Sequence, residues 1–229
     1  MSVQTERVQT ERVQTERVQS ASARKDRRNR IIGLGAILVL LVAMFFGTKI
    51  VTGDEALAVK GFDAEIWAED KYSSELLPAM LDRSEDITEV SEAIAADPAA
   101  AASEYGVVSG TSAPVYTVTF TGVAGEVEGG IMTVAVEGLP EDLLVRVQMG
   151  PAIDGTALRD ASGLVHFPEF VNQIDYQDAG SELNNIVKET VLADVDAASL
   201  SGKTVTITGP FQLINPQAYL ITPVQIDVE

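Results

Sequence analysis

The chain has no cysteine among its 229 residues. Disulfides, thiolate-bound zinc and cysteine nucleophiles are therefore excluded, and any exported part is held by its core alone. Roughly 175 residues suffice for that, because a domain of such size buries enough surface. There is one histidine, His166, and no G-x-S-x-G elbow. Nucleophilic catalysis by Ser or Thr would need a base in hydrogen-bond reach, and His166 is the only conventional candidate. Lying between Val165 and Phe167, it reads as a packed or surface residue rather than a catalyst. Positive charge is scarce beyond residue 30. Residues 1–30 hold eight of the 16 Lys/Arg and four of the 34 Asp/Glu, a net +4, which leaves −22 on the rest. Nucleic-acid backbones are bound by neutralising phosphates, so an acidic domain of this kind excludes them as partners. No EF-hand spacing occurs, and with 30 acids after residue 30 no carboxylate pair stands out by spacing. No metal or cofactor is expected.

What is present begins with a five-residue repeat. Val3–Arg7, Val8–Arg12 and Val13–Arg17 each read VQTER. This period fits neither a heptad nor a strand, and one Val per unit cannot build a core. Residues 1–30 are expected to be a disordered basic tail, the alternative being a partner-binding segment. Five basic residues in 24–30 precede Ile31–Thr48, which is 18 residues without a charge. At about 1.5 Å per residue this run spans roughly 27 Å, enough for the hydrocarbon layer. It is apolar on every face, which a core helix would not be. The expected arrangement is a transmembrane helix over 31–51, with the tail in the cytoplasm and the acidic remainder outside. Ala56-Leu57-Ala58 has the form of a peptidase site, so cleavage is the competing reading.

After a linker (52–61), residues 62–106 read as helical. Leu76, Leu77, Met80, Leu81, Ile87, Val90 and Ile94 follow 3/4 spacing, with a break near Asp82–Asp86 and interruption at Asp97-Pro98. The acidic runs Glu65–Asp70 and Asp82–Glu92 read as solvated helix faces. From Val115 the period becomes two. Tyr116, Val118 and Phe120 alternate with Thr117, Thr119 and Thr121, and Gly122 and Gly125 suggest a bulge. Gly129-Gly130 reads as a hairpin turn between this strand and Ile131–Glu137. A third strand carries Val145 and Val147, a helix is expected over Ser181–Val195 capped by Ser181 or Asp178, and further strands over Thr204–Thr208 and Tyr219–Val228. The β-β-β-α-β-β order predicts an α+β fold. Residues 107–229 would form an OB-fold-like five-stranded antiparallel β-barrel, the alternative being an open antiparallel sheet with helices on one face.

Residues 148–176 lack periodicity and concentrate polar groups: Asp154, Thr156, Arg159, Asp160, His166, Glu169, Asn172, Gln173 and Asp175. Long aperiodic connections are often functional, so these residues form the candidate ligand- or partner-binding surface. Arg159 suits a carboxylate, either in a ligand or in Asp160, Asp154 or Asp175 of the same chain. Phe167, Phe170, Tyr176 and Trp67 could stack on a sugar or pack in the core.

The run QMGPAIDGTALRDASGLVHFPEFVNQIDY (148–176), together with DPAAAASEYG (97–106), GKTVTITGPFQL (202–213) and YLITPVQIDV (219–228), resembles a bacterial family of predicted periplasmic lipoproteins. The resemblance covers Phe62 to the C-terminus. It implies an accessory role at the cell surface, beside sugar-uptake transporters of the ABC type, with transporter components or a small sugar-like ligand as partners. No catalytic residue carries over. Lipoproteins use a lipobox cysteine, which is missing here, so the 31–48 helix is expected to replace the lipid. The reading is a non-enzymatic, single-pass, extracytoplasmic binding protein; the rivals are a hydrolase using Asp or Glu with Arg159, and a structural envelope protein. A label on the N-terminal tail should stay with the membrane-bound outer domain. Recovery of a released, unlabelled outer domain would favour cleavage instead.

Overall fold

The computed structural model describes residues 61–109 and 112–229. The expected tail (1–30), transmembrane helix (31–51) and nearly all of the linker lie outside the described residues. Among the described residues no helix is long and apolar enough to cross a membrane. Residues Lys60–Glu229 form one compact unit.

The unit opens with helix α1 (Ala64–Lys71), whose first turn is capped by the Asp63 carboxylate accepting from the Ile66 N–H. Phe62 before the cap packs on Trp67 in the first turn, a hydrophobic staple that sets the entry angle of the chain. A π turn (Tyr72–Leu76) leads without a break into α2 (Leu77–Asp82), with Pro78 directly after the wider turn. The break expected near Asp82–Asp86 is a two-residue strand, β1 (Glu85–Asp86). Helices α3 (Ile87–Ala96) and α4 (Pro98–Glu104) follow, capped by Asp86 and Asp97 respectively. Asp97-Pro98 thus starts a helix as well as ending one.

Strand β2 (Gly106–Val107) precedes the long β3 (Val115–Glu128). Gly129 and Gly130, at φ +58° and +82°, make the expected tight turn into β4 (Ile131–Ala135). The β3–β4 register shifts between Ala124 and Val127, the bulge that Gly125 marks. Strand β5 (Leu144–Gln148) follows, then α5 (Ala157–Ala161), α6 (Gln173–Val187), β6 (Thr204–Gln212), β7 (Ala218–Ile221) and β8 (Gln225–Val228).

The strands pair in the order β7-β5-β4-β3-β6-β8. Chain 222–224 links the two ends. Thr222 N–H donates to the Pro210 carbonyl and Val224 N–H to the Thr208 carbonyl, so β7, this link and β8 act as one strand that closes the barrel between β5 and β6. This is OB-fold topology, but two expectations need correcting. The sheet is mixed and not purely antiparallel, because β7 runs parallel to β5 and β1 runs parallel to β3. It also has eight strands where five were expected, since β1 and β2 add to the edge of β3 and the closing strand divides at Pro223. The edge of β3 that β4 leaves free is thereby covered, which removes an exposed template for association.

Two further elements differ from expectation. Strand β6 continues through Gly209-Pro210 to Gln212, past the expected end at Thr208. A Cβ on Gly209 would come within 2.2 Å of the Thr222 carbonyl oxygen, so glycine is what lets the closing strand cross there. Helix α6 starts at Gln173, eight residues before the expected Ser181, because Asn172 caps it by accepting from the Ile174 and Asp175 N–H groups. Its first buried positions, Ala179 and Gly180, are small and carry little hydrophobic signal.

The barrel interior holds Tyr116, Val118, Phe120, Met132, Val134, Val145, Val147, Val205, Ile207, Phe211, Tyr219 and Ile221, joined by Ile87, Val90, Ile94 and Ala101 from α3 and α4. Tyr116, Phe211 and Tyr219 stack in series, with ring centroids 5.5 and 4.3 Å apart. A second core forms between α1, α2, α5 and α6, and takes Val115 and Val224 from the sheet. Outside the barrel the threonine face makes a ladder: Thr119 meets Thr208 and Thr121 meets Thr206, both at 2.8 Å.

Tyr72 in the second core is 6% exposed and its hydroxyl has no partner. Burial disfavours the phenolate and pushes its pKa up to about 12. The folded state therefore holds this proton where an unfolded chain would lose it. Stability is full below about pH 10 and falls as pH rises towards 12. Tyr72→Phe should raise the unfolding free energy measured in urea at pH 7, by about 1 kcal/mol or less, and weaken the alkaline loss between pH 10 and 12.

Candidate functional site

The 150–176 connection is pinned from within. Gln148, buried at the end of β5, accepts the Asp154 N–H at 2.8 Å and donates to the Asp154 carbonyl at 3.0 Å and to Thr222 Oγ1 at 2.8 Å. Asn184 on α6 donates to the carbonyls of Ile153 and Gly155. Helix α5 then carries Leu158 and Ala161 into the second core, and with them the adjacent Arg159 and Asp160.

Arg159 and Asp160 are each 7% exposed. The guanidinium grips both carboxylate oxygens, Nε to Oδ1 at 2.8 Å and Nη2 to Oδ2 at 3.0 Å. Nη1 donates to the Tyr176 carbonyl at 3.2 Å, and the guanidinium carbon lies 3.6 Å from the Tyr176 ring centroid. The Thr156 and Tyr176 hydroxyls donate to the two oxygens of Asp160. Tyr176 is held protonated to higher pH by burial first, and then by the Asp160 charge beside it. Every strong group in this knot has an internal partner, and a paired, fully bonded charge cluster of this kind ties loop to helix.

The structure thus brings Thr156, Arg159 and Asp160 together, in contact with one another and with Tyr176. Asn172 and Asp175 are spent on the N-terminus of α6, where Asn172 Nδ2 also donates to Asp175 Oδ2 at 3.1 Å. Asp154, His166 and Gln173 project from the surface. The His166 backbone N–H donates to Glu169 Oε1. Of the four aromatics considered for stacking, Phe170 is buried, touching Phe62, Trp67 and Tyr176. Phe167 packs its edge on Tyr176 while half-exposed. Among the described residues no group of three or more His, Asp or Glu could hold a metal.

A concave site lies elsewhere, at the mouth of the barrel. It is a cavity of about 480 Å³ between α3, the start of α4, the β4–β5 loop and the β6–β7 loop. Ile94, Leu143, Leu213 and Tyr219 line it, with Pro98, Pro140 and Pro216 around them; Ser91, Asp142 and Gln217 supply the polar groups. The Ser91 hydroxyl is already engaged with the Thr88 carbonyl. Tyr219 ends the ring stack of the barrel core, and burial pushes its pKa up to about 12. No sequence spacing announced this cavity, because its walls come from four separated segments. The only available signal was that three prolines fall at element junctions.

The fold, the knot and the cavity now stand beside the comparisons with known proteins. The chain belongs to the Predicted periplasmic lipoprotein (DUF2291) family. The match to that family spans residues 37–227, which takes in the whole barrel and both cores. The periplasmic location of the family agrees with the extracytoplasmic placement expected from charge asymmetry. Among solved structures, an OB-fold protein from Thermotoga maritima is similar over 74% of this chain and 100% of its own, at 23% identity and a TM-score of 0.60. At that identity the likeness concerns the fold. No curated protein matches the chain.

Arg159→Ala would leave the Asp160 carboxylate buried without its cation. Unfolding of the 60–229 unit by urea should show a loss of about 3 kcal/mol or more. If the variant keeps full stability, the pair is not structural and its surroundings are open to a ligand.

Proposed function

We propose that this periplasmic lipoprotein relative is a membrane-anchored, non-enzymatic binding module, held by the 31–48 run, that takes its ligand in the barrel-mouth cavity. The observation that carries this reading is the cavity itself. Its volume lies in the range of small-molecule sites, and its wall is mostly apolar with a few polar groups at fixed places. Such a lining suits a ligand with an apolar body and one or two polar ends. A sugar would set most of its hydroxyls against Ile94, Pro140, Leu143 and Leu213, where they would lack partners. The role as an accessory to a sugar-uptake transporter of the ABC type rests on the family resemblance, with the transporter as protein partner. Two observations support a binding role over catalysis. Among the described residues no Ser or Thr hydroxyl hydrogen-bonds the exposed His166 side chain, and Arg159 is consumed by Asp160.

The neutral apolar dye N-phenyl-1-naphthylamine tests the cavity. It should brighten on binding the 60–229 unit. Ala95, exposed on α3 and part of the lining, can be enlarged without touching the core. Ala95→Trp should weaken dye binding about tenfold or more with the melting temperature unchanged, whereas Thr133→Trp on the outer face of β4 should not. Equal dye binding by wild type and Ala95→Trp would remove the cavity from the proposal.

A further inference from the structure

Eleven large apolar side chains are exposed among the described residues, and six of them fall around one loop. Val171 is 91% exposed, Ile174 67%, Ile66 58%, Val108 53%, Phe167 48% and Leu164 47%. Contacts beneath them join these positions into one surface. Phe167 packs on Tyr176, Tyr176 on Phe170, and Phe170 on both Phe62 and Trp67 of the α1 staple. Val107 lies against Gly163. Val108 and Leu164 therefore border the same patch. Concentration of exposed apolar groups on one face marks a surface that meets something apolar.

The covalent chain indicates what that is. Phe62, part of this patch, follows the apolar run 31–48 by only the 13 residues 49–61. Thirteen residues reach at most about 45 Å fully extended, and about 20 Å as a flexible coil. If 31–48 crosses the bilayer, as proposed above, the face bearing Phe62 is confined close to the lipid surface. Aromatic and aliphatic side chains on that face match the amphipathic boundary of a bilayer. A second copy of this chain fits poorly, because the flanking charges are acidic. Asp63, Glu65, Glu169 and Asp175 border the patch, and the nearby Lys71 is paired with Glu75.

We propose that the 164–174 loop, with the start of α6 and the α1 staple, is a lipid-contact surface that lays the outer domain against the bilayer in a fixed orientation. Phe167, Val171 and Ile174 enter the interface and the carboxylates stay in the headgroup region. The acidic border makes this contact unlike that of a basic amphipathic helix. Anionic lipid weakens it and salt restores it. The inference rests on the anchor reading, and the test separates the two.

The cysteine-free chain allows single labels. Full-length Val171→Cys, Ile214→Cys and Leu220→Cys, each carrying an environment-sensitive dye, are reconstituted in phosphatidylcholine vesicles and floated on a density gradient. Flotation reads the anchor, and quenching reads the patch. The expected result is flotation of all three, with only the dye at 171 quenched by doxyl-labelled phosphatidylcholine and shielded from aqueous iodide. Phe167→Asp with Ile174→Asp should return that dye to water without changing flotation, and added phosphatidylglycerol should reduce its lipid quenching. A chain that floats with the 171 dye open to iodide overturns the lipid contact and leaves the anchor standing. A 171 dye shielded from both quenchers points to a protein partner and also overturns it. A chain that does not float overturns both.

Discussion

The last strand holds the barrel shut. Ala218–Ile221 pairs in parallel with β5, and the next residues hand their N–H groups to Pro210 and Thr208 of β6. Without this crossing the sheet would be an open ladder from β5 to β6 with two free edges. Closure requires the backbones to approach at Gly209 more closely than any side chain permits. It also places Tyr219 against Phe211, which completes the ring stack and sets the floor of the mouth cavity. Fold and candidate site therefore depend on one backbone contact between segments about a dozen residues apart.

The barrel does not stand alone. The helices before β3 serve both of its surfaces: α3 and α4 close its interior, while α1 and α2 build a second core with α5 and α6. The Arg159–Asp160 pair ties this layer together at the point where the aperiodic loop enters it. A buried ion pair is weak as a source of stability, since desolvation offsets attraction, but it is stringent about geometry. Here it places Tyr176, and Tyr176 places Phe167 and Phe170. The polar richness of 148–176 is thus largely internal wiring, and the same wiring leaves apolar side chains facing outward.

Cavity and patch are formed by different parts of the chain. The cavity draws on α3, the start of α4, the β4–β5 loop and the β6–β7 loop, and the patch on α1, the 164–174 loop and the start of α6. A module held through one surface and binding through another would keep its ligand site clear of whatever holds it. The strongly acidic surface keeps such a domain off anionic polymers.

Much of this was legible in the sequence. The alternation of Tyr116, Val118 and Phe120 with threonines marks a strand with one buried face, and Gly129-Gly130 can hardly be anything but a hairpin turn, because side-chain period and backbone sterics are local. The β-β-β-α-β-β order followed from such signals, and the order carried the barrel. The early start of α6 was hidden because Ala179 and Gly180 are buried without being conspicuously apolar. The reach of β6 past Gly209-Pro210 was hidden because two strand breakers there serve a close crossing. Parallel pairing, the eight-strand count, the partner of Arg159 and the cavity were decided only by the tertiary structure. Each depends on which distant segments meet, and long-range contact leaves no period in the sequence. What the residues settled by themselves was the exclusion of cysteine chemistry, the charge division at residue 30 and the α+β class, since these need only composition and local order.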